Sequence, residues 1–119
     1  MFRLVVLLML LGGCTRSEQV TPQYQSREQD PVYQTIKGLV QDQSNCFKRE
    51  AQSKSLRAVD LDTAALAVMG KCAAERQRYK AFAARNTIEH PPQFEIRWRA
   101  EEADDLLFIK QMLAIIRTQ

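Results

Sequence analysis

Three cysteines and a single histidine are the residues of this 119-residue chain with the most distinctive chemistry. Cys14, Cys46 and Cys72 are far apart and form no CxxC pair, so the sequence does not indicate a thiol oxidoreductase. A zinc site needs several converging ligands, and His90 stands beside Pro91 without the second histidine of an HExxH motif. We therefore expect no metal site and no cofactor.

The other residue types that carry catalysis form no recognisable motif. The chain has no GxSxG, and beyond residue 13 its glycines are the isolated Gly38 and Gly70, so no phosphate-binding loop is present. Four carboxylates crowd residues 101–105, but adjacent acids on a helix more often complement the helix dipole than share a proton. The sequence therefore predicts a protein that is not an enzyme.

The charge balance is weakly basic, with 17 Lys and Arg against 14 Asp and Glu and a formal net charge of +3. Nucleic-acid binding depends on clustered basic residues, whereas both signs are interspersed along this chain. This pattern predicts no nucleic-acid partner and a mixed, solvated surface.

The first fourteen residues combine a short basic start, an apolar run and a cysteine. Arg3 precedes an apolar stretch of roughly eight residues, which is too short to cross ~30 Å of hydrocarbon as a helix. This pattern is typical of the n-region and h-region of a secretory signal peptide, with a buried N-terminal helix as the alternative. The segment Leu11-Gly12-Gly13-Cys14 then resembles the lipobox of bacterial lipoproteins, in which an aliphatic and two small residues precede the modified cysteine.

The resemblance implies that residues 1–13 are a signal peptide cleaved after Gly13. It also implies that Cys14 carries a diacylglycerol thioether and an acylated amino group, with fatty acids such as palmitate. Several acyl chains anchor a protein stably where one gives marginal binding. In Gram-negative lipoproteins an aspartate after the cysteine favours retention in the inner membrane. Thr15 stands there instead, so the resemblance points to the outer membrane, on its periplasmic side.

Residues 14–30 are predicted to be the lipidated cysteine and a flexible tether. Residues 15–30 are polar and rich in glutamine, and they cannot bury enough apolar surface to offset the entropy of ordering. A flexible segment of this length spans roughly 20–25 Å. It leads to the predicted folded domain, residues 31–119.

Export also gives Cys46 and Cys72 a predicted role. With Cys14 committed to lipid, they remain as an even pair in an oxidising compartment. Each lies on the apolar face of its own predicted helix, so antiparallel neighbours would bring the Cβ atoms to about 4 Å. We predict a disulfide, with two buried free thiols as the alternative.

Apolar periodicity predicts helices over residues 31–53, 61–85 and 93–117. Asp30 and Asp60 are expected N-caps of the first two. The third segment is expected to bend or break near residues 101–105, where the acids would suit the start of a final helix. The predicted fold class is all-α, a small bundle of three or four helices behind the signal peptide and tether.

Trp98, between Arg97 and Arg99, is the best candidate for a partner-binding anchor, because Trp and Arg are enriched among interface hot spots. The alternative is a tryptophan that covers the bundle core, with the arginines extending along it. Nine of the eleven residues 106–116 are apolar, more than a one-sided surface helix carries. This helix is therefore either central in the bundle or, at positions such as Leu107, a contact surface.

Together these features predict a membrane-anchored, periplasm-facing lipoprotein that binds another protein of the cell envelope. It would serve as a non-enzymatic adaptor, as an accessory of a secretion or envelope assembly. The general plan is similar to that of small helical lipoproteins such as the pilotins of secretion systems, although no pilotin motif is present. The alternatives are a structural lipoprotein that contacts the cell wall, and a small periplasmic enzyme or inhibitor.

Overall fold

The computed structural model describes residues 29–119, which form four α-helices and one 3₁₀ helix and contain no strand. The elements are α1 (Pro31–Ala51), the 3₁₀ helix (Lys54–Ala58), α2 (Leu61–Lys71), α3 (Ala73–Arg85) and α4 (Pro91–Arg117). The predicted all-α class is confirmed. The predicted signal peptide, Cys14 and the tether up to residue 28 lie outside the described residues. Residues 31–34 begin α1, and Thr35–Gln119 form the unit that holds the core.

The first two helices begin where the sequence places their N-caps. Asp30 Oδ1 accepts a hydrogen bond from the backbone N–H of Val32 at 3.0 Å. Asp60 Oδ2 accepts one from the backbone N–H of Thr63 at 3.0 Å, and its Oδ1 accepts from the Thr63 hydroxyl at 2.7 Å. These contacts, the hydroxyl bond above all, lower the pKa of Asp60. Both aspartates thus satisfy N–H groups that a helix start leaves free.

The single helix predicted over residues 61–85 is wrong in one respect, because the backbone bends at Cys72. There φ is −97° and ψ is 17°, and the chain divides into α2 and α3. Cys72 keeps backbone hydrogen bonds of 3.1 Å to both adjoining turns, so the interruption is a bend and not a loop. Gly70, a weak helix former, precedes the bend, and the Cys72 side chain is fixed to α1. We attribute the bend to that combination.

α4 runs without interruption for 27 residues, so the break expected near residues 101–105 is wrong. The helix begins at Pro91, where the missing N–H of proline is not needed. The acids therefore lie in the middle of α4 and not at a helix start. They are placed there by contacts with α1 and α3, which the sequence pattern alone did not indicate.

The main core surrounds a disulfide between Cys46 and Cys72, in agreement with the predicted pairing. Their Cα atoms are 5.9 Å apart and both side chains are buried. The core contains Cys46, Phe47 and Ala51 of α1, Ala64, Ala65, Val68 and Met69 of α2, Cys72 at the bend, and Ile109 and Leu113 of α4. The small alanine side chains let α2 pack closely along α4.

A second, smaller core lies between α3 and the first half of α4. It contains Ala83, Phe94 and Trp98, with Tyr79 packed against it. None of the helices within residues 29–119 has the length and hydropathy that a membrane crossing requires.

Candidate binding surface

Trp98 is not an exposed anchor for a partner, and this prediction is corrected. The side chain is only 3% exposed. Its ring meets Tyr79 edge-on, with centroids 5.1 Å apart, and stacks near Phe94 at 6.1 Å. Its indole N–H donates to Glu102 at 3.0 Å. The tryptophan therefore covers the inside of the bundle, as in the alternative interpretation, because α3 packs over the face of α4 that carries it.

The two flanking arginines do not form a surface with Trp98. Arg97 donates to Glu89 at 2.6 Å and to Glu101 at 2.9 Å, and its guanidinium lies 5.3 Å from the ring centroid of Phe94. Arg97 is thus paired with two neighbouring carboxylates at the surface, while Arg99 is exposed. The three residues that the sequence groups together have separate environments in the structure.

A polar cluster joins α1, α3 and the middle of α4. Its contacts are Gln43 Nε2 to Asp105 Oδ2 at 3.3 Å, Arg76 Nη2 to Glu102 Oε1 at 3.0 Å, and Tyr79 Oη to Glu101 Oε2 at 3.3 Å. Gln43 is only 5% exposed. It falls on the apolar face of α1, three positions before Cys46, and that spacing is the signal from which its burial could have been found.

Asp105 is the most perturbed acid in this cluster. Burial raises its pKa to about 6, the nearby charge of Arg76 opposes the rise, and the carboxylates of Glu101 and Asp104 add to it. Within residues 29–119, Gln43 Oε1 and Arg76 Nε are buried without a hydrogen-bond partner. The ionised carboxylate of Asp105 is therefore partly desolvated, in a site where not every polar atom has a hydrogen-bond partner. Its ionisation is unfavourable for the folded state.

Replacing Asp105 with asparagine is expected to stabilise the protein at neutral pH by about 1 kcal/mol, a figure reduced because the side chain is only half-buried. The folded pKa lies above the ordinary value of 3.8, so ionisation opposes folding. The penalty is absent below about pH 4, grows between pH 4 and 6, and is complete above that window. Asparagine can still accept the hydrogen bond from Gln43.

The measurement is urea unfolding of Asp105→Asn and wild type at pH 4 and pH 7.5. The difference in free energy of unfolding should be near zero at the lower pH and positive at the higher. Asp42→Asn, on the exposed face of α1, is the control for loss of a surface carboxylate. An Asp105→Asn variant equally or less stable at pH 7.5 would contradict the prediction.

An apolar groove of about 430 Å³ lies between the C-terminal halves of α1 and α4. Its lining residues are Lys48 of α1, Gln52 just after the end of α1, Phe108, Gln111, Met112, Ile115 and Ile116 of α4, and Gln119. Phe108 is 43% and Ile115 is 61% exposed, while Met112 and Ile116 pack partly against the core below. The apolar excess of residues 106–116 is thus divided, with one side in the core and another in this groove.

Leu107 is exposed, at 54%, but it does not line the groove. It precedes Phe108 and therefore points about 100° away around the helix. The position predicted for contact, Leu107, is accessible, but the neighbouring residue Phe108 is the one that faces the groove. The sequence shows an apolar run but not which of its sides α1 and α2 leave uncovered.

A second depression, of about 340 Å³, lies between α3 and the start of α4. Its charged residues are already paired, since Lys80 bonds Glu95 at 3.3 Å and Glu89 bonds Arg97. Nowhere in residues 29–119 do three His, Cys, Asp or Glu side chains converge to hold a metal ion. The groove between α1 and α4 is the better candidate for binding, because the large apolar side chains of Phe108 and Ile115 are exposed beside it.

Comparisons with known protein families, with curated proteins and with solved structures found no match to this chain. The candidate surface is therefore assigned from its own geometry.

Proposed function

We propose that this chain is a lipoprotein of the bacterial cell envelope that acts by binding another protein and not by catalysis. The anchor is lipid on Cys14, at the predicted outer membrane, and the folded domain is held near it by residues 15–30. The binding surface is the groove between α1 and α4. As an anchored adaptor of this kind, the protein would serve as an accessory of a secretion or envelope assembly.

The observation that carries the binding role is the exposure of Phe108 and Ile115 beside the groove. Large apolar side chains exposed singly are common, but two that border one depression with a half-buried apolar floor form a recognition surface. Most aliphatic residues of the C-terminal half of α4 already serve the core. Phe108 and Ile115 add little to that core and are available to a partner.

The anchor is tested with Cys14→Ser. We expect this variant to keep its signal peptide and to incorporate no radiolabelled palmitate. The reason is that the thioether forms on the sulfur of Cys14, and serine has no sulfur. The control is Thr15→Ser, which leaves the cysteine intact and should be labelled normally. Normal palmitate labelling of Cys14→Ser would refute the anchor.

The binding role is tested by photocrosslinking in living cells, with a photoreactive amino acid at position 115. Position 66 is the matched control, because Leu66 is also 61% exposed but does not line the groove. We expect discrete protein adducts from position 115 and none from position 66. Absence of adducts at both positions, in cells that make the protein at its natural level, contradicts the binding role.

A further inference from the structure

The groove is a trough bordered on one side by the C-terminal end of α1 and on the other by the C-terminal half of α4. Gln43 of α1 bonds Asp105 of α4 just before the groove, and the groove is lined farther along the chain by Lys48 of α1 and by Gln52, which follows α1. From Phe108 to Ile116 it extends about 12 Å, or roughly two helical turns. A trough of this shape between neighbouring helices is the place where a third helix packs, with anchors at i, i+3, i+4 and i+7.

The chain around the groove carries an excess of positive charge. Residues 48–57 contain four basic residues and one acid, and residues 106–119 contain two basic residues and no acid. Residues 89–105, by contrast, contain six acids and two basic residues. The groove thus lies at the basic end of a domain whose acids are concentrated elsewhere.

Much of this positive charge is not neutralised within the described chain. Arg49 contacts Glu50 at 3.5 Å, and Lys110 contacts Asp62. Three other basic side chains make no ion pair with any residue in 29–119: Lys48, Lys54 and Arg57. Lys48 is itself part of the groove lining. An incoming segment with carboxylates along its edges would therefore find complementary charge beside the apolar floor.

We propose that the groove accepts an acidic amphipathic helix of a partner protein. This inference rests on the proposed binding function and specifies the chemistry of the partner. The partner helix places its apolar side chains on Met112 and Ile116, between Phe108 and Ile115. Its flanking Asp or Glu side chains face Lys48 and the basic segment that follows Lys48 in the sequence. A lipid surface fits less well, because a flat interface is penetrated by protruding side chains and does not reach the floor of a groove.

The test uses the full chain purified in a non-ionic detergent and two synthetic peptides of roughly 14 residues, or four helical turns. Both peptides carry leucines at i, i+3, i+4 and i+7, and their flanks are glutamates in one and lysines in the other. Fluorescence anisotropy measures binding at low and high salt. We expect the acidic peptide to bind at least about tenfold more tightly, with a preference that falls as salt rises.

Three variants connect that binding to the groove. Ile115→Asp should weaken binding of the acidic peptide at least about tenfold, as loss of a central anchor does. Leu66→Asp, with the same change at a matched exposed position, should bind as wild type does. Lys48→Glu should reduce the preference for the acidic peptide. Unchanged thermal unfolding of each variant shows that the effect is local.

Several results would overturn the proposal. Equal binding of the two peptides would contradict the preference for an acidic partner. An equal loss of peptide affinity in Ile115→Asp and Leu66→Asp would show that the peptide does not bind in the groove. Displacement of the acidic peptide by phosphatidylglycerol vesicles, but not by phosphatidylcholine vesicles, would assign the surface to anionic lipid. If position 115 crosslinks to a protein in cells while neither peptide binds, the inference about the partner's chemistry fails and the proposed binding function stands.

Discussion

Removing the disulfide by Cys46→Ala/Cys72→Ala is expected to lower the free energy of unfolding by about 3.5 kcal/mol. The bond closes a loop between residues 26 positions apart. In the chain-entropy model, its loss raises the conformational entropy of the unfolded chain and lowers the free energy of that state by about 3.5 kcal/mol. For a folded region of this size the melting temperature should fall by roughly 15–25 °C. The effect is large because total stabilities of small domains are only about 5–15 kcal/mol.

Thermal and urea unfolding of the wild type, with and without reductant, provide the internal control. Reduction should destabilise the wild type by about the same amount as the double substitution, and it should have no effect on the variant. Cys14→Ser in every sample removes the one further cysteine of the sequence, so that reductant acts on the Cys46–Cys72 bond alone. A variant as stable as the oxidised wild type would show that the bond adds no stability.

The disulfide could be predicted from sequence because two simple constraints acted on the same pair. Cys46 and Cys72 each belong to an apolar helical stripe, and both stripes must face one core. The N-caps were equally predictable, since Asp30 and Asp60 act on backbone N–H groups only a few residues away. Interactions confined to one helix end, or to two faces that both need burial, leave their pattern in the sequence.

The bend at Cys72 and the continuity of α4 could not be predicted in this way. A helix bends at Cys72 where the side chain is bonded to another helix, and local propensity does not include that bond. The acids at 101–105 resemble a helix start when α4 is considered alone. In the folded chain Arg76 binds Glu102 and Gln43 binds Asp105, so side chains from other helices place these charges in a helix interior.

The candidate surface was predictable only in part, for the same reason. The apolar run from Leu106 to Ile116 indicated a helix that either enters the core or contacts a partner. The helix is divided: Ile109 and Leu113 are buried in the core, while Phe108 and Ile115 are exposed. Only the packing positions of α1 and α2 decide which side remains open. Trp98 shows the converse, because a residue type common at interfaces lies instead beneath α3.

Trp98→Ala is expected to lower the free energy of unfolding by about 3–5 kcal/mol, the cost of deleting a large buried aromatic ring. The loss has three parts: the cavity between α3 and α4, the edge-on contact with Tyr79, and the hydrogen bond to Glu102. Loss of this hydrogen bond leaves Arg76 as the remaining partner of Glu102. The substitution should therefore destabilise the fold as a whole, and not merely remove a contact with a partner.

Two comparisons separate this structural role from a binding role. Trp98→Phe retains an aromatic ring and loses the hydrogen bond, so its cost should be smaller, about 1–2 kcal/mol. Arg99→Ala, one position along and exposed, should change stability by less than about 0.5 kcal/mol. Circular dichroism during urea unfolding gives all three values. If Trp98→Ala unfolds like the wild type but loses the protein adducts formed from position 115, the ring acts in recognition. If it unfolds at lower urea and still forms those adducts while folded, Trp98 supports the domain and the groove does the binding.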